Sequence, residues 1–155
     1  MIKKLRVDHR LLHGQVAFSW TQAIGADCIL IANDDVFQDP IKMSAIRMGK
    51  PAGVKVVIKT MEEAVVALKS GVTDRYRLFI VVESVADAKR IAEETGFHEI
   101  NLGGMKDTPE KTKFGKAVYL TQEEMELLRA LIQEGFHINM QMIPADKEVK
   151  METLL

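Results

Sequence analysis

The chain has 155 residues, 47% of them hydrophobic, which suits one domain with a real core and is too apolar for a disordered chain. Its 21 basic and 22 acidic residues leave a formal net charge of −1, so bulk electrostatics give no support for nucleic-acid binding. A single cysteine, Cys28, excludes an internal disulfide and fits a reducing compartment. The N-terminal residues lack the apolar core of a signal peptide, and no apolar run approaches the ~20 residues of a membrane helix, so a soluble cytoplasmic protein is expected.

Ile2 to Val7 is a strand candidate, with Leu5 and Val7 on one side and Lys4 and Arg6 on the other. It runs into Arg6-Val7-Asp8-His9-Arg10-Leu11-Leu12-His13-Gly14-Gln15-Val16, whose first eight residues hold two histidines, two arginines and an aspartate. Val16, Trp20, Ala23 and Ile24 then repeat at helical spacing, which predicts a helix over 14–24 stopped by Gly25. Cys28 to Ala32 is continuously apolar, as a strand covered on both faces of a parallel sheet would be. Asn33, Asp34 and Asp35 supply an N-cap and first-turn acids for a second helix, with Phe37, Ile41, Ala45 and Met48 on its inner face. Pro40 within it implies a broken first turn or a late start.

Pro51-Ala52-Gly53 is a turn and Val54 to Ile58 a strand. Thr60 and Glu63 have capping-box spacing and open a helix with Ala64, Val65 and Leu68 inward, ending near Gly71. Tyr76 to Val82 is a strand, followed by a Ser84-capped helix with Val85, Ala88, Ile91 and Ala92 inward and Gly96 at its end. Glu99 to Leu102 is a short strand leading into Gly103-Gly104-Met105, and the polar, aperiodic residues 106–115 read as loop. Ala117 to Leu120 is a strand, Thr121 caps a helix carrying Met125, Leu128, Leu131 and Ile132, and His137 to Ile143 alternates as a last strand. About seven strands alternating with five helices predict an α/β fold, an open and mostly parallel sheet with helices on both faces, in a single domain 1–155. The helices show no surplus apolar stripe, which points weakly to a monomer.

In such a sheet, function collects where strands end and helices begin. Those edges hold Asp8, Arg10 and His13, then Asn33, Asp34 and Asp35, then Glu83 and Ser84, then Gly103, Gly104 and Lys106. Only the first has a histidine with cationic partners. With a helix starting at Gly14, His13 lies beside the unpaired N–H groups of Gly14, Gln15 and Val16 and the positive end of the helix dipole, a place that favours an anion. Arg10 adds a guanidinium fork suited to phosphate or carboxylate, and a neutral imidazole is a competent nucleophile near pH 7. A histidine that receives or holds an anion is the local reading, and a phosphoryl group fits best.

Other residues carry plainer readings. His9 and His13 have the spacing of a metal pair only if that stretch were helical, which Gly14 opposes; no metal or cofactor is expected. Asp34 and Asp35 read as capping acids that are able to contact a partner, and Gly103-Gly104 as glycines that bring backbone close to the active loop, since no nucleotide-loop pattern is present. His98 and His137 read as structural, Trp20 and most methionines as core, and Met105 as a neighbour of the site. Two other classes stay open on residues alone: a nucleotide-binding or flavodoxin-like carrier, and a non-catalytic module that binds a phosphorylated partner at the His13 loop.

The stretch Arg6 to Val16 resembles the active-site loop of phosphotransferase-system (PTS) enzyme IIB components of the mannose/fructose/sorbose class. Asn33-Asp34-Asp35-Val36 with Asp39-Pro40, Pro51-Ala52-Gly53-Val54-Lys55, Asn101-Leu102-Gly103-Gly104-Met105 and Pro144-Ala145-Asp146-Lys147 extend the likeness over nearly the whole chain. The resemblance implies a phosphoryl relay: His13 is phosphorylated from the histidine of a IIA domain and passes the group to a sugar entering through membrane-embedded IIC and IID components. It implies that Arg10 stabilises the phosphoryl group and that Asp8 orients Arg10 or the imidazole, with Arg6, His9, Asp34, Gly103 and Gly104 at the periphery. Contact with the membrane complex would be peripheral and transient. The chain begins at the IIB-like strand, so a separate IIA polypeptide is expected. His9 departs from the family's frequent second aspartate, which changes the local charge and leaves His13 untouched.

Overall fold

The computed structural model describes residues 1–155. In chain order the strands are Ile2–Asp8 (β1), Cys28–Ala32 (β2), Lys55–Lys59 (β3), Leu78–Val82 (β4), Glu99–Gly104 (β5), Thr112–Phe114 (β6), Val118–Leu120 (β7), His137–Met140 (β8) and Val149–Lys150 (β9). The helices are Gly14–Ile24 (α1), Asp34–Phe37 (α2), Pro40–Met48 (α3), Met61–Ser70 (α4), Val85–Thr95 (α5) and Gln122–Gln133 (α6). Seven strands form one sheet in the order β3-β2-β4-β1-β5-β8-β9, parallel throughout except for the antiparallel β8–β9 edge.

Apolar alternation decides which face each element buries. On one face Leu5 and Val7 of β1 pack with Ala64 and Val65 of α4, Val85 and Ile91 of α5, and Leu128 and Leu131 of α6. On the other, Ile29 and Ile31 of β2, Val56 and Ile58 of β3, and Phe79 and Val81 of β4 pack under Ala17 and Trp20 of α1, Val36 of α2 and Ile46 of α3. The centre of the sheet, Cys28–Ala32 and Leu78–Val82, is buried from end to end, as strands covered on both faces must be. Thr60, Ser84 and Thr121 cap α4, α5 and α6 as their spacing predicts, the first and last with full capping boxes.

Several sequence expectations change. The second helix is two: Asn33 caps the single turn of α2, and Asp39 caps α3 with Pro40 in its first turn, where a missing N–H costs nothing. That restart shifts the helical phase, so Ile41 and Met48 are 82% and 86% exposed while Ile46 is buried and Met43 half-buried. An exposed apolar stripe therefore exists after all. The segment 106–115 contains β6, which pairs antiparallel with β7 in a separate hairpin, so residues 118–120 leave the main sheet. Its seventh strand is instead β9, and β8 ends at Met140 rather than Ile143.

Strand order places the site. β1 lies between β4 and β5, so the chain leaves it towards β2 on one side, while β5 opens the other half of the sheet. This reversal makes a crevice at the carboxyl end of β1, where open α/β sheets bind their ligands. Beside it the β1–β5 register slips: Val7 pairs with Leu102 but Asp8 with Gly104, leaving Gly103 as an extra residue in β5.

The revised face of α3 is testable by urea unfolding. Ile46→Ala should cost about 2–5 kcal/mol, as for a buried aliphatic residue. Ile41→Ser and Met48→Ser should each stay within about 0.5 kcal/mol. A loss at Ile41 equal to that at Ile46 would contradict this packing.

Candidate active site

β1 ends with its polar residues on the face away from Leu5 and Val7, and Asp8 there is completely buried. A buried carboxylate needs partners for both oxygens. Oδ1 accepts the backbone N–H of Arg10 (3.0 Å), with His9 Nδ1 and Arg10 Nε each 4.0 Å away. Oδ2 takes Nη2 of Arg6 (3.2 Å) and Nε2 of His13 (2.9 Å). The Asp8 carbonyl accepts the N–H of Leu11 (2.9 Å), and the His9 N–H donates to the Gly104 carbonyl (2.9 Å), which fastens the loop to β5. Leu11 sits at φ +57°, rare for a branched residue, and is held there because it and Leu12 are buried in the α1–α3 core.

His13 is extended (φ −147°, ψ 131°) at the N-cap of α1, and its side chain does not cap the helix. Gly14, at φ +42°, makes the turn from that extended residue into the helix. The N–H groups of Gly14, Gln15 and Val16 find no acceptor in the protein, whereas the Ala17 N–H reaches the His13 carbonyl. Three free donors and the dipole end therefore lie next to the imidazole. Arg10 contributes a guanidinium whose side chain is 53% exposed and forms no close ion pair. With Nε2 bound to Asp8, Nδ1 is the ring nitrogen left free.

The charges set one another. Burial alone pushes the Asp8 carboxyl up, but the His13 hydrogen bond, the Arg10 N–H and the Arg6 charge outweigh it and hold Asp8 below the usual carboxylate range. Burial also pulls Arg6 down from its ordinary value, against the attraction of Asp8.

Asp8, Arg10, His13 and the α1 N-terminus thus come together as the sequence suggested. Arg6, taken from the sequence as peripheral, is central: it is 1% exposed and bonded to Asp8, to Asn101 Oδ1 (2.7 Å) and to the Gln141 carbonyl (3.1 Å). Sequence reasoning missed Asn101 and Gln141, and only Asn101, in Asn101-Leu102-Gly103-Gly104, lies in a stretch that carries a motif. Asp34 accepts the N–H of Met61 (2.9 Å) at the start of α4 and has no hydrogen bond or ion pair with the His13 loop. Gly103 admits Arg6, whose guanidinium fills the space that a Cβ would take, and Gly104 lies against Asp8. Met105 lines a groove with His9 and Lys106.

The description "PTS system sorbose subfamily IIB component" matches residues 2–155. A probable phosphotransferase enzyme IIB component of Streptococcus pyogenes is 30% identical over 100% of this chain and 99% of its own length. The chain belongs to the sorbose subfamily of PTS IIB components. The crystal structure of the IIBSor domain of the sorbose permease from Klebsiella pneumoniae superposes with a TM-score of 0.90 at 29% identity, over 97% of this chain and 93% of that one. The mannose-specific EIIAB component of Escherichia coli is 24% identical over 97% of this chain, which covers 47% of it. This IIB component is accordingly a phosphotransferase of a sugar-PTS phosphoryl relay, and IIB components work with IIA, to which that relative is fused.

The depressed Asp8 carboxyl predicts a pH signature. A carboxylate whose folded pKa lies below its unfolded value stabilises the fold at neutral pH and loses that contribution as pH falls through the folded value. Asp8→Asn should lower the urea midpoint at pH 7, and the gap to the wild type should close only below the ordinary aspartate pKa. A gap independent of pH would contradict this assignment.

Proposed function

We propose that His13 Nδ1 is the atom that accepts the phosphoryl group from a IIA histidine. What carries this reading is the hydrogen bond from His13 Nε2 to Asp8, which leaves the Nδ1 lone pair free beside unpaired N–H groups and Arg10. In the transfer, the P–N bond to the donor imidazole breaks as the bond from Nδ1 to phosphorus forms. The donor nitrogen keeps its electron pair, and the proton on His13 Nε2 stays shared with Asp8, which balances the positive imidazolium. Such a loose transition state needs alignment and charge stabilisation rather than further covalent chemistry. The N–H groups of Gly14, Gln15 and Val16 and the Arg10 guanidinium supply that stabilisation. In the second half, a sugar hydroxyl oxygen bonds to phosphorus and gives its proton to water as the P–Nδ1 bond breaks, and His13 leaves as neutral imidazole with its Nε2 proton in place. We place this step at the cytoplasmic face of IIC and IID membrane components. The absence from the fold of any helix long and apolar enough to cross a membrane accords with a peripheral role there.

Incubation with phosphoenolpyruvate, enzyme I, the phosphocarrier HPr and a cognate IIA, read by intact mass, tests this. One acid-labile phosphoryl group should appear and vanish in His13→Ala. Arg10→Ala should slow its appearance by on the order of a hundredfold. Arg10→Lys should recover only part of that, since an ammonium lacks the guanidinium fork. No modification with several competent IIA donors would overturn the reading in favour of a module that binds a phosphorylated partner.

A further inference from the structure

We propose that Arg6, Asn101 and Gly103 form a positioning train that fixes the Asp8 carboxylate, and through it the His13 ring, for phosphoryl transfer. This inference rests on His13 being the acceptor.

The train is built to hold one geometry. Asn101 Nδ2 donates to Asn139 Oδ1 (2.8 Å) and to the Gln141 carbonyl (3.1 Å), which leaves its Oδ1 facing Arg6. Arg6 Nη1 donates to that oxygen at 2.7 Å and to the same Gln141 carbonyl at 3.1 Å. Its Nη2 reaches Asp8 Oδ2, the oxygen that also holds His13 Nε2. Asp8 Oδ1 is meanwhile held by the Arg10 N–H. The carboxylate thus has both oxygens occupied and its plane set. Gly103 makes this possible, because the extra residue of the β5 bulge offers the guanidinium a place without a Cβ.

Stability alone does not account for the arrangement. A buried ion pair replaced as a whole by apolar residues of similar volume often costs no stability, because desolvation offsets the attraction. The Trp20 ring lies 5.7 Å from Arg6 Cζ, so an apolar pair in place of Arg6 and Asp8 would still have an apolar neighbour. What an apolar side chain would not do is hold Asp8 Oδ2 in place. Loss of that hold frees the carboxylate to rotate away from Nε2, and a displacement of about 1 Å at a reacting group costs on the order of a hundredfold in rate. Arg6, Asn101 and Gly103 touch neither the proposed acceptor nitrogen nor the phosphoryl group. They act through Asp8.

The test uses the full chain and the phosphoenolpyruvate-driven assay across pH. Wild type against His13→Ala is run first, because failure there refutes the acceptor itself and is distinct from failure of the train. Gly103→Ala should lower thermal stability and transfer together, since its methyl group displaces Arg6. Gly103→Ala combined with Arg6→Met should recover the part of the stability lost to the clash, yet stay about ten- to a hundredfold slow. Asp8 faces Arg6, His9, Arg10 and His13. Removing the Arg6 charge eases protonation of Asp8, so the acid limb of the rate profile of the double variant should move to higher pH. Asn101→Ala serves if the double variant does not fold: it leaves the Arg6 charge in place but unanchored, so the rate should fall at near-normal secondary structure while the acid limb stays where the wild type has it. Wild-type rate in folded Asn101→Ala, or recovery of rate along with stability in the double variant, would overturn the proposal.

Discussion

The hydrogen bond between the buried Asp8 carboxylate and His13 Nε2 is the interaction on which the site depends. It joins the end of the central strand to the first residue of the next helix, and it decides which nitrogen of the imidazole faces the partner. Its strength comes from its setting. A carboxylate taken out of water binds its donors more tightly, provided both of its oxygens are served. Asp8 meets that condition with a guanidinium, a backbone N–H and an imidazole. The result is a reactive side chain standing at the surface on a foundation that is not itself at the surface.

The fold supplies that foundation through the position of β1. A strand in the middle of a parallel sheet is covered on both faces, so its carboxyl end is the one place where a side chain can be rooted in the core and still reach solvent. On the α4–α6 face the sheet is filled by aliphatic residues. On the other face β5 and β8 carry Asn101 and Asn139 instead. That polar strip receives Arg6, and the Gly103 bulge gives it room. Leu11 and Leu12 pin the loop from the opposite side, and the burial of Leu11 offsets its left-handed backbone.

Much of this was legible in the sequence where the signal is local. Helix α1 follows from the stripe Val16–Trp20–Ile24, the buried β2 from five consecutive apolar residues, and α4 and α6 from their capping boxes. The His13 loop stood out because histidine, arginine and aspartate crowd a strand-to-helix junction. The inner face of α3 was not legible, since Phe37, Ile41, Ala45 and Met48 keep helical spacing across a break at Gln38–Asp39 that resets the phase. The β6–β7 hairpin hides in a lysine- and threonine-rich stretch, and β9 is two residues long, too short for any period to show. Arg6 is the most telling case. A charged residue on a short strand reads as solvated, and its burial depends on Asn101 and Gln141, which lie 95 and 135 residues away in the chain. Gly103 marked the right place, though only the structure shows that a guanidinium rather than backbone fills the space it leaves.

Asp8, held by Arg6 from below, commits the His13 ring to one orientation. Long-range proton–nitrogen correlation spectra of protein labelled with nitrogen-15 histidine, before and after phosphorylation, test this most directly. An Nε2-protonated His13 in the free protein, and phosphorus on Nδ1 afterwards, are the expected results. An Nδ1-protonated ring, or a phosphoryl group on Nε2, would contradict them.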